Sequence, residues 1–279
     1  MIEVKNFSFG YKKSKPLYKN LNLQLPVGSI YGLLGKNGAG KSTLLKNFTG
    51  LLFPTQGELM VNGFMPKKRQ PSFLQTIYFI PEEVYVPSLT IDQYKKLFAP
   101  FYPLFDEHQF HSYLDTLDVH NKEKLRTFSF GQQKKFVIAF ALACNTKILL
   151  LDEPTNGLDI PSKIKFRKLI SSVFTDDKMI FISTHQIRDL DNLIDNVVIV
   201  DDGELLLQAS IAEITRKLSF KVIDTIRRED EVLYTEPSLR GNAVVMENKT
   251  GEESKANLEF LFNAVTQNPE KTKSLFYKN

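Results

Sequence analysis

The chain of 279 residues has one cysteine, Cys144, which excludes an internal disulfide and a cysteine-built metal cage. It sits in an apolar helical run, where a small thiol is expected as core filling rather than as a reactive group. Long apolar runs are also missing. A bilayer-crossing helix needs about 20 residues, and the longest candidates, Phe136 to Cys144 and Ile148 to Leu151, are separated by Asn145, Thr146 and Lys147. The chain is therefore expected not to span a membrane. Its start, Met1-Ile2-Glu3-Val4-Lys5, alternates like a strand and lacks the basic-then-apolar layout of a secretion signal, so a cytoplasmic location is expected. A large excess of one charge sign is missing as well, with a net value of +4. The basic runs Lys12-Lys13-Ser14-Lys15 and Lys67-Lys68-Arg69 are short and carry no interleaved aromatics. They read as solvated loops, and no direct nucleic-acid contact is expected.

With 42% hydrophobic residues, the chain has enough apolar material for one large domain and a small appendage. The most informative stretch is Gly35-Lys36-Asn37-Gly38-Ala39-Gly40-Lys41-Ser42, which fits the phosphate-loop pattern G-x-x-x-x-G-K-[ST]. It lies between a strand-like run, Ile30 to Leu34, and a helix-like run, Ser42 to Leu52. Gly35, Gly38 and Gly40, with Asn37 and Ala39, let successive backbone N–H groups curl around phosphates, Lys41 reaches the outer phosphates, and the Ser42 hydroxyl suits Mg²⁺. Thr43 follows as a further contact. A plain glycine turn would not require a lysine and a hydroxyl side by side at a helix start. A nucleoside triphosphate is the expected ligand.

A second apolar run, Ile148 to Leu151, ends in Asp152-Glu153-Pro154. This is the pattern of a buried parallel strand that delivers acids to the carboxyl edge of a sheet. There Asp152 would hold Mg²⁺, directly or through water, and Glu153 would orient and partly deprotonate an attacking water.

Two further segments, Phe128-Ser129-Phe130-Gly131-Gln132 and Phe181-Ile182-Ser183-Thr184-His185, complete an ordered set with the turn Asn156-Gly157-Leu158-Asp159. From Met1 to about Ala212 the chain resembles the ATP-binding-cassette (ABC) family. The resemblance implies an α/β fold: a RecA-like P-loop core with an antiparallel β subdomain and a helical insert. It implies ATP and Mg²⁺ as cofactors. Tyr11 then corresponds to the aromatic that stacks on adenine, and Ser129, Gly131 and Gln132 to the signature that caps the terminal phosphate from an opposite subunit. Asp159 corresponds to the turn crossing the dimer seam, and His185 to the switch that contacts the terminal phosphate. Taken singly, Tyr11 also reads as an ordinary strand tyrosine and Ser129 as a helix N-cap. His108, His111 and His120 lie in polar, acid-rich sequence and read as solvated.

Two positions depart from the family pattern. Phe130 stands where the signature usually has a glycine, and Glu82 stands where a magnesium-sensing glutamine is usual. A carboxylate at position 82 still contacts metal or water, but adds negative charge beside Asp152 and Glu153; slower hydrolysis without magnesium is one expected consequence.

The expected organisation is a nucleotide-binding domain over 1–215, with a helical subdomain at about 89–143, and a small α+β extension over 216–279 with an amphipathic helix from Asn257 to Gln267. Tyr85, Tyr94, Phe98, Phe101, Tyr102 and Phe105 crowd the opening of the insert. About half are expected as core and the rest as the groove that, in transporter cassettes, takes a helix of the membrane subunit. The resemblance implies a second cassette, as homodimer or heterodimer, and membrane-spanning permease subunits, with an exporter-type bacterial cassette as the leading reading. That places the chain peripherally on the inner face of the cell membrane. A non-transport ABC ATPase acting on ribosomes or nucleic acid, and a catalytically weak regulatory module, are the alternatives. The first of these usually carries two cassettes, or a coiled-coil or zinc insert, in one chain.

Overall fold

The computed structural model describes residues 1–279 apart from 13, 121, 191, 227–230, 252–253 and 278–279, so Lys13 of the first basic run lies outside the described residues. Among the described residues, twelve strands form three sheets. β1 (Ile2–Phe9), β2 (Tyr18–Leu25) and β4 (Gln56–Val61) make an antiparallel sheet in the order β2-β1-β4. β3 (Ser29–Leu34), β5 (Ile77–Ile80), β6 (Ile148–Asp152), β7 (Met179–Thr184), β8 (Asn196–Asp201) and β9 (Glu204–Ser210) make the central sheet, ordered β5-β6-β7-β3-β8-β9. It is parallel except for β9, which returns antiparallel along β8. β10 (Leu218–Ile223), β11 (Val232–Ser238) and β12 (Gly241–Glu247) close the chain's third sheet, with β12 in the middle.

The helices are α1 (Lys41–Phe48), α2 (Pro71–Leu74), α3 (Ile91–Phe98), α4 (Glu107–Thr116), α5 (Phe130–Ala143), α6 (Ile160–Val173), α7 (Ile211–Lys217), α8 (Leu258–Gln267) and α9 (Pro269–Phe276). No helix among the described residues is long and apolar enough to cross a membrane. The P-loop α/β fold expected from the sequence is the fold observed.

Parallel strands covered on both faces should be apolar throughout, and β6 and β7 are buried at every residue. Their side chains alternate between two packed layers, as a period of two requires. Ile148, Leu150, Met179 and Phe181 face a cluster that holds Leu44, Leu45 and Phe48 of α1 and the inner face of the antiparallel sheet. Leu149, Leu151, Ile180 and Ile182 face a second cluster built on α5 and α6, where Cys144 is buried as expected.

Helix α1 stops four residues before the end of its apolar run. Gly50 takes φ +67°, its N–H and that of Leu51 fold back onto Asn47 O and Lys46 O, and a Cβ at Gly50 would lie 2.2 Å from Pro66 O. A left-handed glycine just past a helix end is a strong stop, and here it overrides the apolar periodicity.

The aromatic crowd of the helical segment is largely its core. Tyr94 stacks edge-on against both Phe136 and Phe140 at 5.0 Å, and Phe105 lies 5.3 Å from Phe140. Phe98 and Tyr102 pack against the same cluster, whereas Tyr85 and Phe101 stay exposed, at 84% and 63%.

The C-terminal segment is an α+β unit, but its core is not separate. Asn257 caps α8 through Glu259 N and Phe260 N, close to the expected helix start. Leu258, Leu261, Ala264 and Val265 of α8 join the cluster that contains Ile182 and Ile187. Arg188 Nε bonds Glu259 Oε2 at 2.8 Å across the same contact. Because this burial is continuous with the central sheet, Leu261→Ala should lower stability by about 2–5 kcal/mol. Chemical denaturation should still show one transition; a separate early transition of the C-terminal segment would contradict the shared core.

Candidate functional site

Strand order brings three loops to one edge. β7 lies between β6 and β3, and the register pairs Asp152 with Ser183 and Leu34 with Thr184. The phosphate loop after β3, the acids at the end of β6 and the histidine after β7 therefore leave the sheet side by side. They border a cleft of about 510 Å³ lined by Tyr11, Leu17, residues of the loop from Lys36 to Thr43, Glu82, Glu153 and His185. Gly35, Ala39 and Asp152 do not line it. Ser129, Gly131, Gln132 and Asp159 do not line it either.

Backbone freedom shapes the phosphate loop at two points. Gly38 takes φ +83° and Gly40 φ +99°, conformations a side chain disfavours. At Gly40 a Cβ would also lie 2.6 Å from Tyr18 Oη. The next residue starts α1, whose first N–H groups and dipole end point at the loop with no acidic residue in the first turn to compete. Lys41 Nζ donates to Gly35 O at 2.7 Å and Lys36 O at 3.2 Å and lies 3.8 Å from Glu153 Oε1. Burial pushes the Lys41 pKa down, opposed by the fields of Glu153, Asp152 and Glu82.

Glu153 is 4% exposed and sits at φ +45°, a left-handed conformation uncommon for a residue with a side chain. The surroundings hold it there. Its N–H donates to Ser183 O at 3.1 Å, while its carboxylate accepts from His185 N at 2.9 Å and Thr184 Oγ1 at 3.2 Å. His185 Nδ1 lies 2.8 Å from Glu153 Oε1. A carboxylate only accepts, so the bond places the proton on Nδ1 and leaves Nε2 for another partner. Asp152, 2% exposed, accepts from the Ser183 hydroxyl. The arrangement couples a fixed carboxylate to an imidazole and to an ammonium that reaches the phosphate loop, which is the equipment for activating water beside a phosphate.

Tyr11 lies outside any strand, is 67% exposed, and meets Thr43 Oγ1 at 3.0 Å. Ser129 caps α5 in a reciprocal box with Gln132: the Oγ accepts from Gln132 N at 3.3 Å, and Gln132 Oε1 accepts from Ser129 N at 3.1 Å. Asp159 caps α6 through Ser162 N at 2.9 Å, and the Ser162 hydroxyl, together with that N–H, holds its carboxyl below the usual range. Phe130 finds a place for its ring against Gly157, where a Cβ would lie 2.5 Å from the ring carbons.

Sequence reasoning missed several contributors. Ser183 and Thr184 position the two acids, and both lie inside the quoted strand motif. Tyr18 clasps the phosphate loop through Ala39 O at 3.5 Å, for which no local pattern gives a signal. Lys134 is 0% exposed and donates to Glu82 O at 2.7 Å and Pro81 O at 3.3 Å. Desolvation lowers its pKa to about 8 against the fields of Asp152, Glu82 and Glu153. In the sequence it is one of an adjacent pair, Lys134-Lys135, in the polar first turns of α5, and nothing there signals its burial. His111 and His120 lie near Glu107 at 3.6 Å and Asp115 at 3.5 Å on the surface.

Comparison with known proteins agrees with this geometry. The family model for ABC transporters matches residues 18–156. The lantibiotic transport ATP-binding protein SrtF of Streptococcus pyogenes is 30% identical over 210 residues, covering 75% of this chain and 90% of SrtF. The bacitracin transport ATP-binding protein BcrA of Bacillus licheniformis is 33% identical over 202 residues, covering 71% of this chain and 65% of BcrA. Among solved structures, a dimeric post-hydrolysis state of the cassette MJ0796 bound to ADP and Pi matches with a TM-score of 0.66 and 25% identity, over 75% of this chain and 98% of that one. The chain belongs to the ABC transporter family. It is an ATP-binding and ATP-hydrolysing subunit that powers transport.

The tight contact at Gly40 gives a local prediction. Gly40→Ala should cost about 1–3 kcal/mol of stability through backbone strain alone. It should also weaken binding of a fluorescent ATP analogue, as read by titration at equal protein concentration. Unchanged affinity would show that the loop adapts.

Proposed function

We propose that this chain works as one half of a cassette dimer that binds two ATP molecules with magnesium and drives a separate membrane permease, in the export direction. The observation that carries this reading is the composition of the cleft: it gathers the phosphate loop, Glu82, Glu153 and His185, but not Ser129, Gly131, Gln132 or Asp159. A site with its signature elsewhere calls for a second cassette to supply it. SrtF and BcrA, named for lantibiotic and bacitracin transport, support the exporter assignment.

In this reading the loop N–H groups and Lys41 hold the phosphates, and Tyr11 receives the adenine face. Glu153 takes a proton from the attacking water. His185, oriented by its Nδ1 bond to Glu153, keeps Nε2 toward the terminal phosphate. Signature residues Ser129, Gly131 and Gln132 of the second cassette cap that phosphate from a helix N-terminus. Asp159 serves the seam between the halves.

Magnesium fits the donors at hand. Ser42, the buried Asp152 and Glu82 offer hard oxygen ligands, too few for an all-protein cage, which suits an ion that keeps waters and takes phosphate oxygens. When bound, it would neutralise phosphate charge. ATP binding at both sites favours the closed dimer and hydrolysis reopens it, a ligand-driven two-state motion. The exposure of Tyr85 and Phe101 suits docking of a permease helix in this region. The chain would then reside at the inner face of the membrane through that permease.

Lys41→Ala is expected to abolish ATP binding. Glu153→Gln should retain it, lose turnover by at least about 100-fold, and accumulate as an ATP-dependent dimer visible by size exclusion with light scattering. Wild-type turnover in Glu153→Gln would remove Glu153 as the base. Trapping that variant with ATP and magnesium in its native cell and identifying what co-purifies from solubilised membranes tests the partner: a stoichiometric polytopic membrane protein is expected, whereas ribosomes or nucleic acid would reassign the chain to non-transport work.

A further inference from the structure

The first turns of α5 touch the catalytic edge of their own subunit twice, through residues one helical turn apart. Phe130 lies on Gly157, and Gly131 is close enough to the same turn that a Cβ on it would sit 2.9 Å from Gly157 O. Four residues on, Lys134 donates to Glu82 O and Pro81 O. Positions i and i+4 share one helix face, so one face of α5 grips two different loops. Those loops are bonded to each other, since Asn156 Nδ2 donates to Glu82 Oε1 at 3.0 Å. Gln186 Nε2 then donates to Asn156 Oδ1 at 3.2 Å, one residue beyond His185.

A fully buried ammonium needs a reason, because desolvating it costs several kcal/mol unless it is hydrogen-bonded and its charge is compensated. A methionine or leucine would fill an apolar helix position at no such cost. Lys134 satisfies two carbonyls at the bend after β5 and stands behind the three carboxylates that the cleft needs. The acidic residue at position 82 makes that positive charge more useful than it would be beside a neutral side chain.

We propose that Lys134 is a positioning residue: it fixes the bend at 81–82 so that Glu82 reaches Asn156, and with Phe130 it makes the signature helix and the catalytic edge of one subunit move together. The inference rests on the dimer reading above, in which the signature acts on the partner's nucleotide. Capping the partner's phosphate would then bear on the subunit's own Glu82, Asn156 and Gln186, linking the two ATP sites of a dimer.

The test compares Lys134→Met, Asn156→Ala and the double variant in the full-length chain with wild type and Glu153→Gln, measuring fluorescent-nucleotide affinity, kcat, the magnesium concentration for half-maximal rate and the Hill coefficient for ATP. Lys134→Met should bind nucleotide within about twofold of wild type but lose about tenfold or more in kcat and require more magnesium. Its Hill coefficient should fall toward one. Asn156→Ala, on a half-exposed turn, leaves the core untouched and should show the same pattern, with the double variant no worse than the more affected single. Lys134→Gln, which keeps a donor for the carbonyls, should recover part of the rate. Wild-type kcat and magnesium dependence in Asn156→Ala would overturn the proposal, as would additive losses or equal loss of nucleotide affinity and turnover. Absence of ATP turnover in the wild type with its permease would instead overturn the reading of the site as hydrolytic.

Discussion

The site depends on one constraint: strands β6, β7 and β3 are neighbours in a parallel sheet and end at the same height. In a parallel sheet the pairing register fixes which loops meet. Asp152 opposite Ser183 and Leu34 opposite Thr184 set the acids, the histidine and the phosphate loop within side-chain reach. A slip of one residue in β6 would send Leu149 and Leu151 into the layer now holding Leu150, and would move Glu153 away from His185 N. The uninterrupted burial of β6 and β7 is what excludes that slip, since both faces are packed with side chains of specific volume. Catalytic geometry here is inherited from core packing.

Gathering Glu82, Asp152 and Glu153 on one edge raises an electrostatic problem that the fold answers from two sides. Like carboxylates in a low-dielectric cleft repel unless cations or donors compensate. Lys41 approaches Glu153 from the phosphate loop and Lys134 stands behind all three from the signature helix. Donors complete the arrangement, with Ser183 on Asp152, Thr184 and His185 on Glu153, and Asn156 on Glu82. The two lysines differ in what they can do. Lys41 lines the cleft and can exchange carbonyl contacts for phosphate oxygens, whereas Lys134, enclosed and bonded to Pro81 O and Glu82 O, is fixed.

The parts of this molecule that were legible in the sequence are those in which chemistry and local structure coincide. The phosphate loop announces itself because glycines, a lysine and a hydroxyl are needed at fixed spacing, and the strand ending in Asp152-Glu153 announces itself by its apolar run. The helix cap at Ser129 was legible for a related reason, as a short polar side chain before an apolar stretch, whereas Asp159 was read only as a turn residue and its cap on α6 came from the structure. What was not legible arises from tertiary contact. The close approach of Pro66 to Gly50 gives no local signal, the clasp of Tyr18 on Ala39 joins residues far apart in sequence, and the continuity of α8 with the central core rests on burial that periodicity alone does not assign. The aromatic crowd was readable only as a mixture, because Tyr85 stays exposed on the loop before α3 while Tyr94, on α3, is half-buried against Phe136 and Phe140.

Phe130 shows how a departure from a family pattern can be absorbed. A glycine is usual there because backbone and phosphate approach closely, so a bulky ring would be expected to obstruct unless it points elsewhere. Its ring lies over Gly157, whose lack of a Cβ and left-handed φ of +79° open the space. The substitution therefore exchanges open space at the signature for an intrasubunit contact with the turn that leads to Asp159. The neighbouring Gly131 keeps its backbone bare. The same residue that departs from the pattern thus ties the signature turn to the turn at 156–159 of its own chain. A rigid link of that kind would make closure over one nucleotide a matter for both.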